Sequence, residues 1–223
     1  MNHIKRFRLS YAVPYYAQIA SPDLATRIFV EGLDPALDPR WAETGAETPQ
    51  EYAYWVERAC GIACLKMCVE ALGGSKRPLM EWIRQALAIG GYLIGEDANG
   101  ERREIGWVHQ SLAELIQREG FYARPRQVLI DQMPAYIREG MMIIASVSYE
   151  VGDALPVTKK GGHLVVVIGA DCWDGEVEAL MIHNPSGRRT ELQANALIPA
   201  ARFAQGYTQR AIVVGKTAPD VMN

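Results

Sequence analysis

The sequence predicts an α+β fold, helical in its first part and antiparallel β in its second, and three observations carry that prediction. Residues Cys60 to Leu72 place Ile62, Leu65, Val69 and Leu72 at helical spacing and stop at Gly73-Gly74, the pattern of a buried helix with a glycine end. Beyond residue 140 the texture turns to strand, with Met141 to Tyr149 and His163 to Ala170 as apolar, β-leaning runs. Asp174-Gly175 is a hairpin turn that folds Val177 to His183 back against the second run.

Along the chain, Met1 to Ser10 is a basic start with no apolar segment after it, and Leu9 to Gln18 is extended because Pro14 excludes a helix interior. From Ser21 to Pro49, repeated Pro and Gly interrupt an acidic stretch containing Glu31, Asp34, Asp38, Glu43 and Glu47. This predicts a solvated loop insertion over residues 19–58, and deletion of the stretch between Ser21 and Pro49 should alter substrate choice more than fold. The Cys60 helix should be central. Pro78 opens a second helix through Ala88, Trp107 to Glu119 is a third, closed by Gly120, and Met133 to Glu139 a short fourth that stops at Gly140. Asp97-Ala98-Asn99-Gly100 reads as a loop, Ala211 to Gly215 as a last strand, and the tail from Lys216 as frayed. The expected organisation is one domain, 1–223, with a helical lobe over about 9–140 and a β lobe over 141–215.

Composition narrows the function classes. A chain of 223 residues with 49% hydrophobic and 22% charged residues can bury a substantial core, and a net charge of -3 gives no footprint for nucleic acid. No apolar run reaches the roughly 20 residues of a membrane span, and the chain reads as cytoplasmic. Cys60, Cys64 and Cys68 share one helix at a spacing that suits neither a disulfide nor a zinc or iron–sulfur site, so reduced thiols are expected.

Cys60 stands out because a thiol at a helix start meets unpaired backbone N–H groups and the positive dipole end, which favour thiolate. A cysteine nucleophile also needs a base, a group that orients the base, and oxyanion donors. His163 opens a central strand after Gly161-Gly162, and the hairpin returns Asn184, ahead of Pro185, to its side. His183, next to Asn184, must point to the opposite face and is read as structural. His109 is read as a packing or solvent-side residue, and Cys64 and Cys68 as core.

The ordered set Val13-Pro14-Tyr15-Tyr16-Ala17-Gln18, Cys60-Gly61-Ile62-Ala63-Cys64-Leu65, Ile137-Arg138-Glu139-Gly140, Gly162-His163-Leu164-Val165-Val166-Val167 and His183-Asn184-Pro185 resembles papain-like cysteine peptidases. The nearest branch is that of the double-glycine, or bacteriocin leader, peptidases. The resemblance spans Tyr11 to Gly215 and implies a papain-like fold in which the nucleophile helix packs on the antiparallel sheet. It implies Cys60 as nucleophile, His163 as general base and acid, Asn184 as the residue orienting His163, and Gln18 as an oxyanion donor beside the Cys60 backbone N–H. Two departures stand out. The stretch between Gln18 and Cys60 is far longer than in that branch, which leaves Gln50 as an alternative donor, and Asn184 replaces its usual aspartate. The implied activity is a cysteine peptidase-like thiol hydrolase that cleaves a peptide or isopeptide bond of a peptide or protein substrate without a cofactor. The alternatives are an acyl or peptidyl transferase and a catalytically inactive peptide-binding module.

Overall fold

The computed structural model describes residues 4–96, 99–153 and 156–220. Its chain order begins with β1 (Ile4–Arg8), α1 (Ala25–Phe29), α2 (Pro49–Val56), α3 (Cys60–Ala71) and α4 (Leu79–Ala88). A hairpin of β2 (Tyr92–Glu96) and β3 (Arg102–Trp107) follows, then α5 (His109–Arg118), β4 (Tyr122–Gln127) and α6 (Met133–Arg138). The rest is β5 (Met142–Val147), β6 (His163–Trp173), β7 (Glu176–His183), β8 (Ala196–Pro199), α7 (Ala200–Gly206) and β9 (Arg210–Gly215).

Among the described residues, seven strands make one antiparallel sheet in the order β4-β9-β5-β6-β7-β8, with β1 also paired to β6. The length of β6 explains its two neighbours on one side: residues 163–167 pair with β5, and residues 169–173 with β1. Side chains alternate across a strand, so one strand serves two cores. Ile144, Val166 and Ile212 face α3, α4 and α5, where Ile62, Leu65, Trp82, Ile83, Leu112 and Ile116 are buried. Ile143, Val167 and Val213 face the opposite way, onto Met133 and Ile137 of α6 and Phe203 of α7. Burial on both faces is why β5 and β6 read as continuous apolar runs rather than alternating ones.

The expected α+β class, the central Cys60 helix and the hairpin at Asp174-Gly175 are present, with Asp174 and Gly175 both at positive φ as a tight turn of this hand requires. The lobe division is less clean than the sequence suggests. Strand β4, from the expected helical lobe, and β1, which precedes that lobe, join the main sheet, and the loop read at Asp97 to Gly100 falls in sequence between β2 and β3, which pair as a separate hairpin. Residues 97–98 of that loop lie outside the described residues. Leu9 to Gln18 forms no strand. The tail holds on at Asp220, whose N–H donates to the Glu139 carboxylate at 2.8 Å.

The largest correction concerns residues 19–58. This segment is folded structure, with α1, α2 and short 3-10 turns in place of a solvated loop. Its centre is Asp38, fully buried, which accepts from Ser21 Oγ at 2.6 Å, Tyr52 Oη at 2.5 Å, the Ser21 N–H at 3.1 Å and the Arg40 N–H at 3.0 Å. Burial alone would raise this carboxyl, yet the donors from Ser21, Tyr52 and Arg40 outweigh it and hold the pKa below the ordinary value. Tyr52, fully buried on α2, also accepts from the Ala20 N–H at 2.9 Å and so ties the segment's two ends together. Proline and glycine here mark turns between short helices, a pattern that composition alone does not separate from a loop.

Candidate active site

Helix α3 begins at Cys60, almost without a break after α2, and points its first turn into a cavity of about 910 Å³. Gly61 has a steric reason to be glycine. A Cβ there would lie 2.9 Å from Cδ1 of Trp107 and 3.0 Å from the Leu164 side chain, so only glycine lets β3 and β6 close on the helix start. Trp107 is fixed in turn by Nε1–H donation to the Arg58 carbonyl at 2.6 Å and by edge-on packing with Tyr92, ring centres 4.9 Å apart.

His163 lies at the first residue of β6, after two glycines at φ +75° and +88°, a left-handed pair that turns the chain into the strand. In the β6/β7 pairing Val166 stands opposite His183, so the residues after His183 run back beside the start of β6. Asn184 is thereby delivered to the ring: His163 Nε2 lies 2.8 Å from Asn184 Oδ1. A carboxamide oxygen only accepts, so Nε2 carries the ring proton and Nδ1 keeps its lone pair. Asn184 is itself immobilised. Its N–H donates to the Gln193 carbonyl at 2.9 Å, its carbonyl accepts from Tyr15 Oη at 3.0 Å, and a Cβ on Gly152 would come within 2.6 Å of its Nδ2.

Cys60 and His163 both line the cavity, and the backbone N–H groups of Leu164, the residue after His163, and of Gly61 and Cys60 favour the Cys60 thiolate. The electrostatic outcome differs from the sequence expectation. Although Cys60 as a residue is only half-buried, the packing around its sulfur pushes the thiol up to about 11, and the three backbone donors only partly offset this. Burial likewise lowers His163 to about 4 against the supporting bond from Asn184, with the Arg188 charge adding to the fall. At neutral pH the resting pair is therefore thiol and neutral imidazole, each in the protonation state that places a proton on sulfur and a lone pair on Nδ1.

The remaining sequence candidates separate clearly. Gln18 is buried, receives its position from an N–H donation to the Pro185 carbonyl at 2.9 Å, and donates from Nε2 to the Val56 carbonyl at 2.6 Å. Among the described residues its Oε1 has no partner. Gln50 sits in the first turn of α2, and neither it nor Gln18 lines the cavity. His183 is consumed by backbone, with Nε2 donating to the Val13 carbonyl and Nδ1 accepting from the Asn195 N–H, each at 3.0 Å. Cys64 and Cys68 are fully buried, as their place on the helix predicts. His109, in contrast, lines the Cys60 cavity at the start of α5.

Sequence reasoning missed Ser186. Its Oγ lies 3.1 Å from His163 Nε2 and 3.5 Å from Asn184 Oδ1, a third polar group in the same cluster. The signal was its position two residues after Asn184, in the turn that Pro185 opens and that the Gly187 N–H closes onto the Asn184 carbonyl at 3.1 Å. Among the described residues no cluster of His, Cys, Asp and Glu suits a metal ion, and no described helix is long and apolar enough to cross a membrane.

No protein-family model and no curated protein matches the chain. Among solved structures it is similar to the peptidase domain of Streptococcus ComA, described as a bi-functional ABC transporter involved in a quorum-sensing pathway. Identity is 17%, with 72% of this chain and 93% of that chain covered and a TM-score of 0.46. The peptidase domain of Streptococcus mutans ComA is similar at 16% identity, over 71% of this chain and 92% of that one, with a TM-score of 0.38.

Proposed function

We propose that the chain is a papain-like thiol hydrolase that cleaves a peptide or isopeptide bond through an acyl-enzyme on Cys60. The observation that carries this reading is the His163–Asn184 bond at 2.8 Å, with His163 and the helix-opening Cys60 lining one cavity. The fixed tautomer leaves Nδ1 as the base. As Cys60 Sγ attacks the carbonyl carbon, its proton passes to Nδ1 and the carbonyl π electrons move onto oxygen. The imidazolium that forms is supported by Asn184 through Nε2–H. Collapse of the tetrahedral intermediate breaks the C–N bond, and Nδ1–H protonates the leaving amine. Water, deprotonated by the same nitrogen, then attacks the thioester, releasing a carboxylic acid and restoring the thiol. The oxyanion donors proposed are the Cys60 N–H and the second Nε2–H of Gln18. No cofactor enters this sequence of steps.

The raised thiol favours a second reading, a peptide-binding module without turnover, because a resting thiol must be deprotonated during attack. Comparing the peptides released from a proteome digest by wild-type and Cys60→Ala protein decides between them. The hydrolase reading expects new peptide ends that depend on Cys60; identical digests would favour the binding module.

A further inference from the structure

The cavity that holds Cys60 has two chemically different walls. On the helix and hairpin side its charges are one cation between two carboxylates: Arg58 Nε contacts Glu104 at 2.5 Å and its Nη1 lies 3.7 Å from Glu57. The same side carries the exposed apolar residues Leu93 and Ile105. On the sheet side the charged lining residues are Arg126, Lys160 and Arg210, all positive.

These cations are held in one place by the fold. Lys160 precedes Gly161, whose Cβ position would lie 2.9 Å from Thr208, and the Thr208 hydroxyl accepts from the Arg210 N–H at 3.2 Å. Arg126 sits across from Ala211 in the β4/β9 pairing, one residue from Arg210, with its Nη1 donating to Tyr136 Oη at 3.0 Å. Among the described residues neither Lys160 nor Arg210 makes an ion pair. Glu150, the carboxylate bonded to the loop leading into Lys160, is taken up by Thr158 and the Lys159 N–H and does not line the cavity. A wall that carries one sign of charge concentrates the opposite sign beside it, even on a chain whose net charge is -3.

We infer that this sheet-side wall selects substrates bearing a carboxylate on that side of the scissile bond, as an acidic side chain or as the chain's own C-terminus. The inference deepens the hydrolase reading and rests on it for the meaning of the cavity. Neutral and basic peptides bring no counter-charge to Lys160 and Arg210. An acidic group places its charge against Lys160 and Arg210 while the rest of the peptide lies along Leu93 and Ile105.

The test uses the full chain as Cys60→Ala, which keeps the cleft, equilibrated with three matched libraries of short synthetic peptides. One contains Asp and Glu with amidated ends, the second replaces them by Asn and Gln, and the third is the Asn/Gln library with free C-terminal carboxylates. Two weakly screened ion pairs correspond to retention of a carboxylate library about tenfold above the neutral one at low salt. High salt should remove that preference, and the double variant K160E/R210E, both residues being exposed, should reverse it while keeping the wild-type thermal transition. The library retained, first or third, identifies the source of the carboxylate. Equal retention of all three, no retention of any, or a preference that survives K160E/R210E would overturn the inference. Cleavage by wild-type protein is scored separately. Turnover without charge preference sinks this inference alone, whereas charge-selective retention without turnover sinks the hydrolase reading and leaves the recognition.

Discussion

Two buried polar networks, one around Asp38 and one around His163, are built from similar parts and differ in one respect. Asp38 receives four donors from Ser21, Tyr52 and Arg40, and every one of those bonds stays inside the 19–58 segment. The His163 network of Asn184 and Ser186 meets the ring at Nε2, and His163 lines a cavity that Cys60 also lines. A closed network stabilises a fold; a network with a free lone pair facing a cleft is equipped for chemistry. The same contrast separates the two histidines of the β6/β7 pair, since His183 spends both ring nitrogens on backbone.

The largest effects should come from removing the key member of each network. Cys60→Ala should abolish turnover and His163→Ala should lower it by about 10²–10⁴-fold, the range for positioned general acid–base groups, with the thermal transition largely kept. Asp38→Ala should do the converse, costing on the order of 3–5 kcal/mol of stability by leaving its donors buried without an acceptor, while any protein that remains folded keeps its site. Deletion of residues 21–49 should accordingly collapse the thermal transition rather than retune substrate choice. Denaturant unfolding beside a turnover assay separates the cases, and a stable Asp38→Ala protein would remove the contrast.

A smaller effect follows from the acidity of His163. The unfolded ring takes up a proton near 6.5 and the folded one only near 4, so between these values the unfolded state binds more protons. Stability conferred by the neutral ring is complete above about pH 6.5 and is lost as pH falls towards 4, by about 3 kcal/mol in total. Unfolding midpoints followed across that window in wild-type and His163→Gln protein check this, since the variant should lose that part of the slope. His183→Ala should cost about 1–3 kcal/mol by stranding the Val13 carbonyl and the Asn195 N–H, with little change in turnover per folded molecule. If instead it removed turnover and His163→Ala did not, the roles of the two rings would be exchanged.

The legibility of these regions follows from the range over which their bonds act. Helix α3 and strands β5 to β7 were readable because burial imposes a period on the sequence, and the pairing of His163 with Asn184 followed from the hairpin at Asp174-Gly175 that sets their register. Asp38 was misread as solvated because its donors are two hydroxyls and two backbone groups, none of which leaves a pattern in the sequence. Strands β1 and β4 were invisible for a related reason. IKRFR and YARPRQ carry too few apolar residues to announce a sheet, and the partners that order them lie far along the chain at β6 and β9. The acidity of Cys60 was predicted in the wrong direction because the helix start is a local feature, whereas the burial that overrides it is set by tertiary packing.

The most direct test is to trap the acyl-enzyme. Wild-type protein mixed with an activated peptide ester and quenched in acid should show, by peptide mass mapping, one acyl group on Cys60 and none on Cys64, Cys68 or Cys172; His163→Ala should strongly slow both its formation and its loss. Acylation spread over several cysteines, or a Cys60 that stays unmodified while ester is consumed, would contradict the account.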